Sequence, residues 1–291
     1  HIAFHLYHLF LSFNASVQHS STGTPFGWTP VTGAAEFAMG DNVTGFSTQP
    51  SGETNAAALA VFTEGRLSIL YGTGTSNWQL VPYKDEIGAF PYTIQNLAQT
   101  VFLDIQGITD IATSQSFGNF AHAVISNGMK NTLADWRNTV IASSVSRDLS
   151  QYRLFFTNDN AVYVTMIGRK VIGIMPVQYP DTVRCTGFGI MADNTEAAFF
   201  GSDNGFVYQF DKGTSFDGAN ITAHFTLAYN FSGGARTLKK YRDFTLEISG
   251  GGYAAFNVGH SLGYASTDIL QPSTQSIVTN FNAGAWDSGV W

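Results

Sequence analysis

The sequence predicts an all-β fold, in which β-propeller-like repeats of short antiparallel hairpins are followed by a β-sandwich-like C-terminal sheet. Three observations predict this fold: a hairpin motif recurs, its period is that of a propeller blade, and the composition suits short strands. Charged residues make up 12% of the 291 residues, whereas glycine accounts for 30 residues and phenylalanine for 24. Because charged residues usually make up about a quarter of a globular chain, this balance favours short strands joined by polar turns.

The clearest hairpin lies within Phe199–Gly218. Ala197–Phe200 is a short apolar run, and Phe206–Phe210 alternates large residues as a half-buried strand does. Asn204 and Gly205 stand between the two runs. Asn-Gly between apolar runs is the strongest short-range hairpin signal, because both central residues of a type I′ turn have positive φ. The sequence therefore predicts a tight hairpin with a type I′ turn.

Three looser copies of this hairpin precede it, each with a strand, a polar turn and a strand: Leu59–Tyr71, Val101–Ile111 and Leu154–Val164. The intervals between copies are 42, 53 and 45 residues, counted on Gly65, Gly107, Asn160 and Gly205. A repeat of about 40–50 residues that contains short strands has the period of a β-propeller blade. An ordinary β-rich domain with several similar hairpins is the alternative interpretation.

Three regions follow from this pattern. Residues 1–30 form an N-terminal segment that serves as an interface strand or loop, residues 31–212 carry the propeller-like blades, and residues 213–291 form a C-terminal antiparallel sheet or sandwich. The last region contains long alternating runs at Ile221–Phe231 and Tyr241–Ser249. We expect both runs to be strands.

Composition and motifs argue against several functions. A net charge of −7 disfavours a broad nucleic-acid-binding surface, which would be basic. The sequence contains no Walker loop, no Gly-x-Ser-x-Gly elbow and no His-Glu-x-x-His motif. Its single cysteine, Cys185, excludes an internal disulfide and a multi-cysteine metal site. We therefore predict that the protein is not an enzyme, has no catalytic residue and uses no cofactor or metal.

The N-terminal segment contains three histidines at helical spacing. A helix would place His1, His5 and His8 on one face, where they could serve as zinc ligands. No acidic residue precedes Glu36 to orient such ligands. The segment is therefore interpreted as an interface or inner strand, and metal binding by the histidines stays an open question.

The sequence has one strongly basic stretch. It places four of the chain's 14 cations close together, at Arg236, Lys239, Lys240 and Arg242. Such a cluster favours contact with an acidic partner surface or with phosphates. Alternatively, the charges belong to an edge strand and prevent unwanted strand pairing.

Part of the sequence resembles a known family. Gly201–Gly218, the run Ile221–Asn230 and the basic stretch Arg236–Arg242 resemble a segment of the β-propeller-bearing tail hub or nozzle (tail tubular) proteins of short-tailed bacteriophages. Gln151–Thr157 and Val171–Pro176 are similar to blades of the same family. The resemblance begins near Gln151 and ends near Arg242, and it brings no catalytic motif. Members of the family are usually longer than this chain.

The resemblance implies a structural virion protein of the phage tail. Such proteins form a homo-oligomeric ring, commonly a hexamer, which contacts portal and adaptor proteins and anchors tail fibres or spikes. DNA passes through the channel of the ring during ejection without sequence-specific binding, and an acidic lumen would let its phosphates pass. The four basic residues are then expected to contact a neighbouring subunit or partner. No membrane span is expected, because the sequence has no apolar stretch of about 18 residues.

Two other functions remain open at this point. A carbohydrate-binding or glycan-hydrolysing propeller for receptor binding would use exposed tryptophans as sugar-stacking platforms, and the candidates are Trp28, Trp78 and Trp136. A secreted adhesion module would require glycosylation of its sequons, which lie at Asn14, Asn42, Asn220 and Asn230.

Overall fold

A computed structural model describes residues 1–49, 58–113, 120–168, 170–230 and 253–280, together with the single residues 234, 236, 240, 245 and 247. The chain divides into two compact units, His1–Ile221 and Thr222–Trp291, and each is described by itself. Within the described ranges, no helix is long and apolar enough to cross a membrane.

The first unit contains five antiparallel sheets that follow one another along the chain, with the strands of each sheet adjacent in chain order. Sheet 1 contains β1 (Ile2–His5), β2 (His8–Phe13), β3 (Ser16–His19) and β4 (Ala35–Ala38). Sheet 2 contains β5 (Val43–Gln49), β6 (Ala58–Thr63), β7 (Arg66–Tyr71) and β8 (Gln79–Asp85). Sheet 3 contains β9 (Gln95–Leu97), β10 (Gln99–Asp104), β11 (Gly107–Thr113) and β12 (Phe120–Val124).

The last two sheets of this unit continue the series. Sheet 4 contains β13 (Val140–Ser146), β14 (Gln151–Phe156), β15 (Asn160–Ile167) and β16 (Lys170–Gln178). Sheet 5 contains β17 (Val183–Ile190), β18 (Glu196–Ser202) and β19 (Val207–Gln209), and a ribbon of β20 (Ser215–Phe216) and β21 (Ala219–Asn220) follows it. The prediction of an all-β antiparallel fold is confirmed. Four-stranded meanders repeated along a chain are the arrangement of propeller blades.

The predicted hairpins are the second and third strands of sheets 2 to 5, so the repeat is confirmed. The predicted type I′ turn is wrong. Three residues, Asp203–Gly205, form the turn between Ser202 and Phe206, since Ser202 N donates to Phe206 O at 3.0 Å and Gly205 N donates to Ser202 O at 3.2 Å. Of these three residues, only Gly205 has a positive φ, at 88°. This is a type I turn followed by one left-handed residue, a common three-residue connection.

The N-terminal segment is part of the same repeat. A helix over the histidine-rich residues is contradicted, because β1 and β2 pair as a hairpin in which His5 lies opposite His8. Leu6 and Tyr7 form the turn, with φ of 45° and 63°. Three strands, β1, β2 and β3, thus lie in this segment, and its role at an interface stays a prediction.

The core of the first unit consists of four apolar clusters, each between two consecutive sheets. Phe10 of sheet 1 packs with Leu59 of sheet 2, and Phe62 of sheet 2 packs with Phe102 of sheet 3. Leu103 and Leu154 share the cluster between sheets 3 and 4, and Phe155 and Phe210 share the one between sheets 4 and 5. Each pair of consecutive sheets thus buries apolar residues on the two faces that meet.

One α-helix interrupts the strands of this unit. It spans Lys130–Trp136 (α1), between 3₁₀ turns at Asn127–Met129 and Arg137–Thr139. Leu133 of α1 is buried in the cluster between sheets 3 and 4. A further 3₁₀ turn, Pro30–Thr32, precedes β4.

The second unit has less regular structure in its described part. β22 (Tyr253–Val258) pairs antiparallel with β23 (Gln275–Asn280), and a 3₁₀ turn lies at Gly263–Ala265. The predicted strand is wrong over residues 221–230, which are exposed and belong to no strand. The second predicted strand, Tyr241–Ser249, lies outside the described residues apart from positions 245 and 247.

Candidate interaction surfaces

Polar side chains join sheets 2 to 5 along their first strands. β1 lies beside β5, and β13 lies beside both β9 and β17. Ser47 Oγ on β5 donates a 2.9 Å hydrogen bond to Asn96 Oδ1 on β9. Gln95 Nε2 on β9 donates to Ser143 Oγ on β13 at 3.0 Å, and Thr186 Oγ1 on β17 donates to Ser143 O at 2.8 Å. These contacts between neutral groups link sheets 2 to 5 in sequence.

The face of sheet 1 that points away from sheet 2 is apolar and exposed over β1 and β2, whereas Gln18 and Glu36 lie on the same face over β3 and β4. The strand register places Ile2 beside Leu11 and Phe4 beside Leu9 on this face, and Phe13 follows along β2. The exposed fractions of Ile2, Phe4, Leu11 and Phe13 range from 36% at Leu11 to 75% at Phe13. The opposite face of the sheet carries Phe10, which is fully buried. We call the exposed side the outer face of sheet 1.

The face of sheet 5 that points away from sheet 4 carries several small residues together with Phe199, which lies opposite Gly187. Phe200 and Phe210 pack toward sheet 4, so Cys185, Gly201 and Val207, which lie one residue out of phase, point the other way. Cys185 is exposed, and Val207 is 74% exposed. Gly187 and Gly189 of β17 alternate with Cys185 on this side, and a Cβ atom at either glycine would meet nothing within 4 Å. We call this side the outer face of sheet 5.

The predicted basic cluster is only partly described. Arg236 and Lys240 are exposed. Lys239 and Arg242 lie outside the described residues. The exposure of the first two leaves their charges available to a partner, and their role in an interface stays a prediction.

The three candidate tryptophans lie in three separate places. Trp28 is half-buried in the loop after β3. Trp78 packs among aromatic rings between sheets 1 and 2, with its ring centroid 4.8 Å from that of His8. Trp136 ends α1 and packs on Phe156, with centroids 5.5 Å apart. Because a sugar platform needs an open ring face, the packing of Trp78 and Trp136 does not favour that use.

Three histidines are buried between sheets 1 and 2, and they are His5, His8 and His19. The ring centroids of His8 and His19 are 5.3 Å apart. His8 Nδ1 donates to the carbonyl of Ser20 at 2.6 Å, whereas His5 Nε2 is buried without a hydrogen-bond partner. Burial, with a smaller contribution from His8, lowers the pKa of His5 to about 4. Burial also lowers the pKa of His19, so His5 and His19 are neutral packing groups at neutral pH.

The histidine cluster differs from the predicted set. His1 is exposed and lies near Tyr92, at a centroid distance of 6.0 Å, whereas His19 takes the third place beside His8. Among the described residues, no group of three or more His, Cys, Asp or Glu side chains is arranged to hold a metal ion.

A buried cation lies between sheets 4 and 5. Arg153, at the centre of β14, is fully buried, and its Nη2 donates to Asp211 Oδ2 at 2.7 Å. Its guanidinium lies over the Tyr163 ring, 4.5 Å from the centroid. The hydroxyl of Tyr163 is hydrogen-bonded to that of Tyr179, and burial raises the pKa of both phenols. The Arg153 Nη1 atom has no hydrogen-bond partner. The Asp211 carboxylate, bonded to Nη2, is the anion that offsets the buried charge.

Sequence reasoning missed the two outer faces and the Arg153 pair. The alternation of Ile2, Phe4, Leu11 and Phe13 with buried residues was a usable signal for a two-sided apolar sheet. An arginine flanked by Tyr152 and Leu154 in an apolar strand was a signal for a buried cation.

Comparison with protein-family models gives no match, and comparison with curated protein sequences gives none. Among solved structures, the chain is similar to BBS1N in complex with ARL6DN, with 13% identity over 72% of this chain and 62% of that chain, at a TM-score of 0.45. Raptor of Chaetomium thermophilum is 10% identical over 72% of this chain and 19% of that chain, at a TM-score of 0.46. PorZ, a surface component of the type-IX secretion system of Porphyromonas gingivalis, is 14% identical over 72% of this chain and 26% of that chain, at a TM-score of 0.44.

In each of these comparisons the chain spans less than two thirds of the matched protein. Because the TM-scores lie below 0.5, these similarities carry no conclusion about function. The description of the fold rests on the order and register of the strands.

Proposed function

We propose that this chain is a non-enzymatic structural protein of a tailed bacteriophage virion. It forms part of the tail hub or nozzle ring of a short-tailed phage, which channels DNA during ejection and anchors neighbouring tail proteins. The observation that carries the proposal is the exposed apolar row Ile2, Phe4, Leu11 and Phe13 on the outer face of sheet 1, the first sheet of the series. Large exposed apolar patches mark protein–protein contact sites.

The resemblance of the stretch from Gln151 to Arg242 to tail hub proteins supports the choice of this class among structural proteins. That stretch contains β14 to β19, which continue the blade-like repeat. Low charge over the whole chain, 12% of residues, also agrees with a surface largely covered by neighbouring subunits.

In this proposal the sheets are blades of a β-propeller that is closed through further protein. The second unit belongs to a C-terminal sandwich, of which β22 and β23 are one ribbon. The ring, commonly sixfold, contacts portal and adaptor proteins and a fibre or spike, and Arg236 and Lys240 contribute to such contacts. DNA passes without sequence-specific binding, since a chain with a net charge of −7 repels phosphates at long range.

Electron microscopy of the purified protein tests the proposal. We expect two-dimensional class averages that show closed rings with a central channel. Particles the size of one chain, with and without added portal and adaptor proteins, would contradict it. Binding to a glycan array would instead support the carbohydrate-binding alternative, in which the half-buried Trp28 is a candidate platform.

A further inference from the structure

We propose that the three buried histidines between sheets 1 and 2 form a pH-sensitive contact, which acid opens. Sheet 1 then separates from sheet 2, while sheets 2 to 5 remain packed on one another. The contact lies within the first unit and responds to pH whether or not the chain assembles into a ring.

The three histidine rings lie together on the face of sheet 1 that meets sheet 2. His5 and His8 are directly opposite each other in the register of β1 and β2, and the ring centroids of His8 and His19 are 5.3 Å apart. Each of the three histidines is 2% exposed. Trp78, which precedes β8 of sheet 2, lies 4.8 Å from His8 and 4.9 Å from His19 between ring centroids. The histidines therefore belong to the surface along which the two sheets meet.

None of the described side chains that pack on these rings is acidic. The neighbours on sheet 1 are Phe10 and Phe37, and the remaining contacts between the sheets are apolar: Val17, Met39, Val43, Leu59, Val61 and Leu70. Glu36, the one acidic residue in the strands of sheet 1, lies on the opposite face, where Ser16 Oγ donates to it at 2.5 Å.

The other charged and titratable groups near this boundary lie away from the histidines. Asp41 and Arg66 line a small cavity with Met39, which follows the end of β4 that is remote from His19. Tyr71 and Tyr83 pack in the cluster between sheets 2 and 3. A positive charge among the histidines therefore has no nearby anion to offset it.

Protonation is costly while the two sheets are in contact. The His5 Nε2 atom is buried without a hydrogen-bond partner, so the contact offers that end of a charged ring no acceptor. A charge on His8 also opposes protonation of His5 and of His19, because like charges repel in a buried cluster. Separation of the sheets returns the rings to water and removes both costs.

The effect is confined to one boundary. The buried histidines whose side chains are described all lie between sheets 1 and 2. Sheets 2 to 5 are joined instead by neutral groups, such as Ser47 with Asn96 and Gln95 with Ser143. The pKa of His5 is about 4 in the closed contact and about 6.5 in water, so the equilibrium constant for opening rises about 20-fold between pH 7 and pH 5 from His5 alone.

Thiol labelling at two matched valines tests the proposal. Val17 is 1% exposed in the cluster between sheets 1 and 2, and Val183 is 2% exposed in the cluster between sheets 4 and 5. Val17→Cys and Val183→Cys are each made in the full-length chain with Cys185→Ser, so that each variant has a single thiol. Rates with dithiodipyridine are divided, at each pH, by the rate of the exposed Cys185 in the wild type.

We expect the corrected rate of Val17→Cys to rise about 20-fold or more between pH 7 and pH 5, and that of Val183→Cys to change by less than about twofold. Adding His5→Leu to Val17→Cys should remove the His5 share of the rise. Adding His224→Gln, at an exposed histidine, should leave the rise intact.

Val61→Cys reports on the same boundary from sheet 2, so a folding defect at Val17 does not decide the result. Equal rises at Val17→Cys and Val183→Cys would show unfolding of the whole unit and overturn the proposal. It is also overturned by rates that do not change with pH, or by a rise that His5→Leu leaves unaltered.

Discussion

The guanidinium of Arg153 on sheet 4 is bonded to the carboxylate of Asp211, which follows the last strand of sheet 5, with 2.7 Å between Nη2 and Oδ2. Arg153 is fully buried, whereas the Asp211 side chain is 45% exposed. The pair joins two sheets that are adjacent in the chain, and it holds the end of sheet 5 against sheet 4.

Removal of the Asp211 charge should destabilise the first unit. Asp211→Asn leaves the buried guanidinium without its counter-ion, so we expect the free energy of unfolding to fall by about 2 kcal/mol in urea titrations. Asp203→Asn is the matched control, because Asp203 pairs with Arg184 at 3.7 Å and both side chains are substantially exposed. Its effect should be below about 0.5 kcal/mol. Equal effects of the two substitutions would contradict the assigned role of Arg153.

The hydrogen bonds of Ser143 give a second prediction. Ser143 Oγ donates to Tyr92 O at 2.5 Å and accepts from Gln95 Nε2 at 3.0 Å. Ser143→Ala should therefore cost about 1 kcal/mol, because Tyr92 O loses its donor and Gln95 Nε2 keeps only its 3.2 Å bond to Ser143 O. Ser144→Ala is the control: the Ser144 hydroxyl is buried without a hydrogen-bond partner, and its loss should be neutral or slightly stabilising. Thermal unfolding of both variants measures this difference, and Ser143→Ala should unfold at the lower temperature.

A third prediction concerns pH. The pKa of His5 is about 4 in the folded chain, whereas an unfolded histidine has a pKa of about 6.5. The unfolded state therefore binds a proton more readily, and stability is complete above about pH 6.5 and declines as the pH falls toward 4. The full loss from this residue is about 3 kcal/mol. The pKa of His19 is lowered in the same direction, mainly by burial.

Urea titrations between pH 4 and 8 measure this decline. His5→Leu should flatten it, because the leucine fills the site without titrating. His224→Gln, at an exposed histidine, should leave the profile unchanged. An unchanged profile for His5→Leu would show that the histidine cluster does not cause the acid sensitivity.

A fourth prediction concerns Gly88, in the link between sheets 2 and 3. A Cβ atom at this position would lie 1.9 Å from the carbonyl oxygen of Glu64, so the backbone would have to shift. Gly88→Ala should lower the free energy of unfolding by about 2 kcal/mol or more. Gly173→Ala on β16, where a Cβ atom meets nothing within 4 Å, is the control and should change stability little. Thermal unfolding followed by circular dichroism compares the stability of the two variants.

The structural features that were predicted from the sequence are those that depend on a few neighbouring residues. Alternation and turn residues located the hairpins of sheets 2 to 5, because side-chain period and turn chemistry act over a few residues. The turn at Asn204-Gly205 was assigned the wrong type, since the same dipeptide also fits a type I turn followed by a left-handed glycine. The helical spacing of His1, His5 and His8 was coincidental, and the turn at Leu6 and Tyr7 was not evident from residue type.

Contacts between distant residues were not predictable from one sequence. Arg153 and Asp211 are 58 positions apart, and only the packing of sheet 5 on sheet 4 brings them together. The run from Ile221 to Asn230 alternates as a strand does, yet alternation specifies only which residues share a face. Within the described residues this run belongs to no strand.

The central claim is that this chain is a subunit that assembles with copies of itself. Size-exclusion chromatography with light scattering, run at rising protein concentration, measures this directly. We expect masses at integer multiples of 31.5 kDa for the wild type, and a shift toward the single-chain mass for Phe4→Asp. A wild-type mass of one chain at every concentration would contradict the claim.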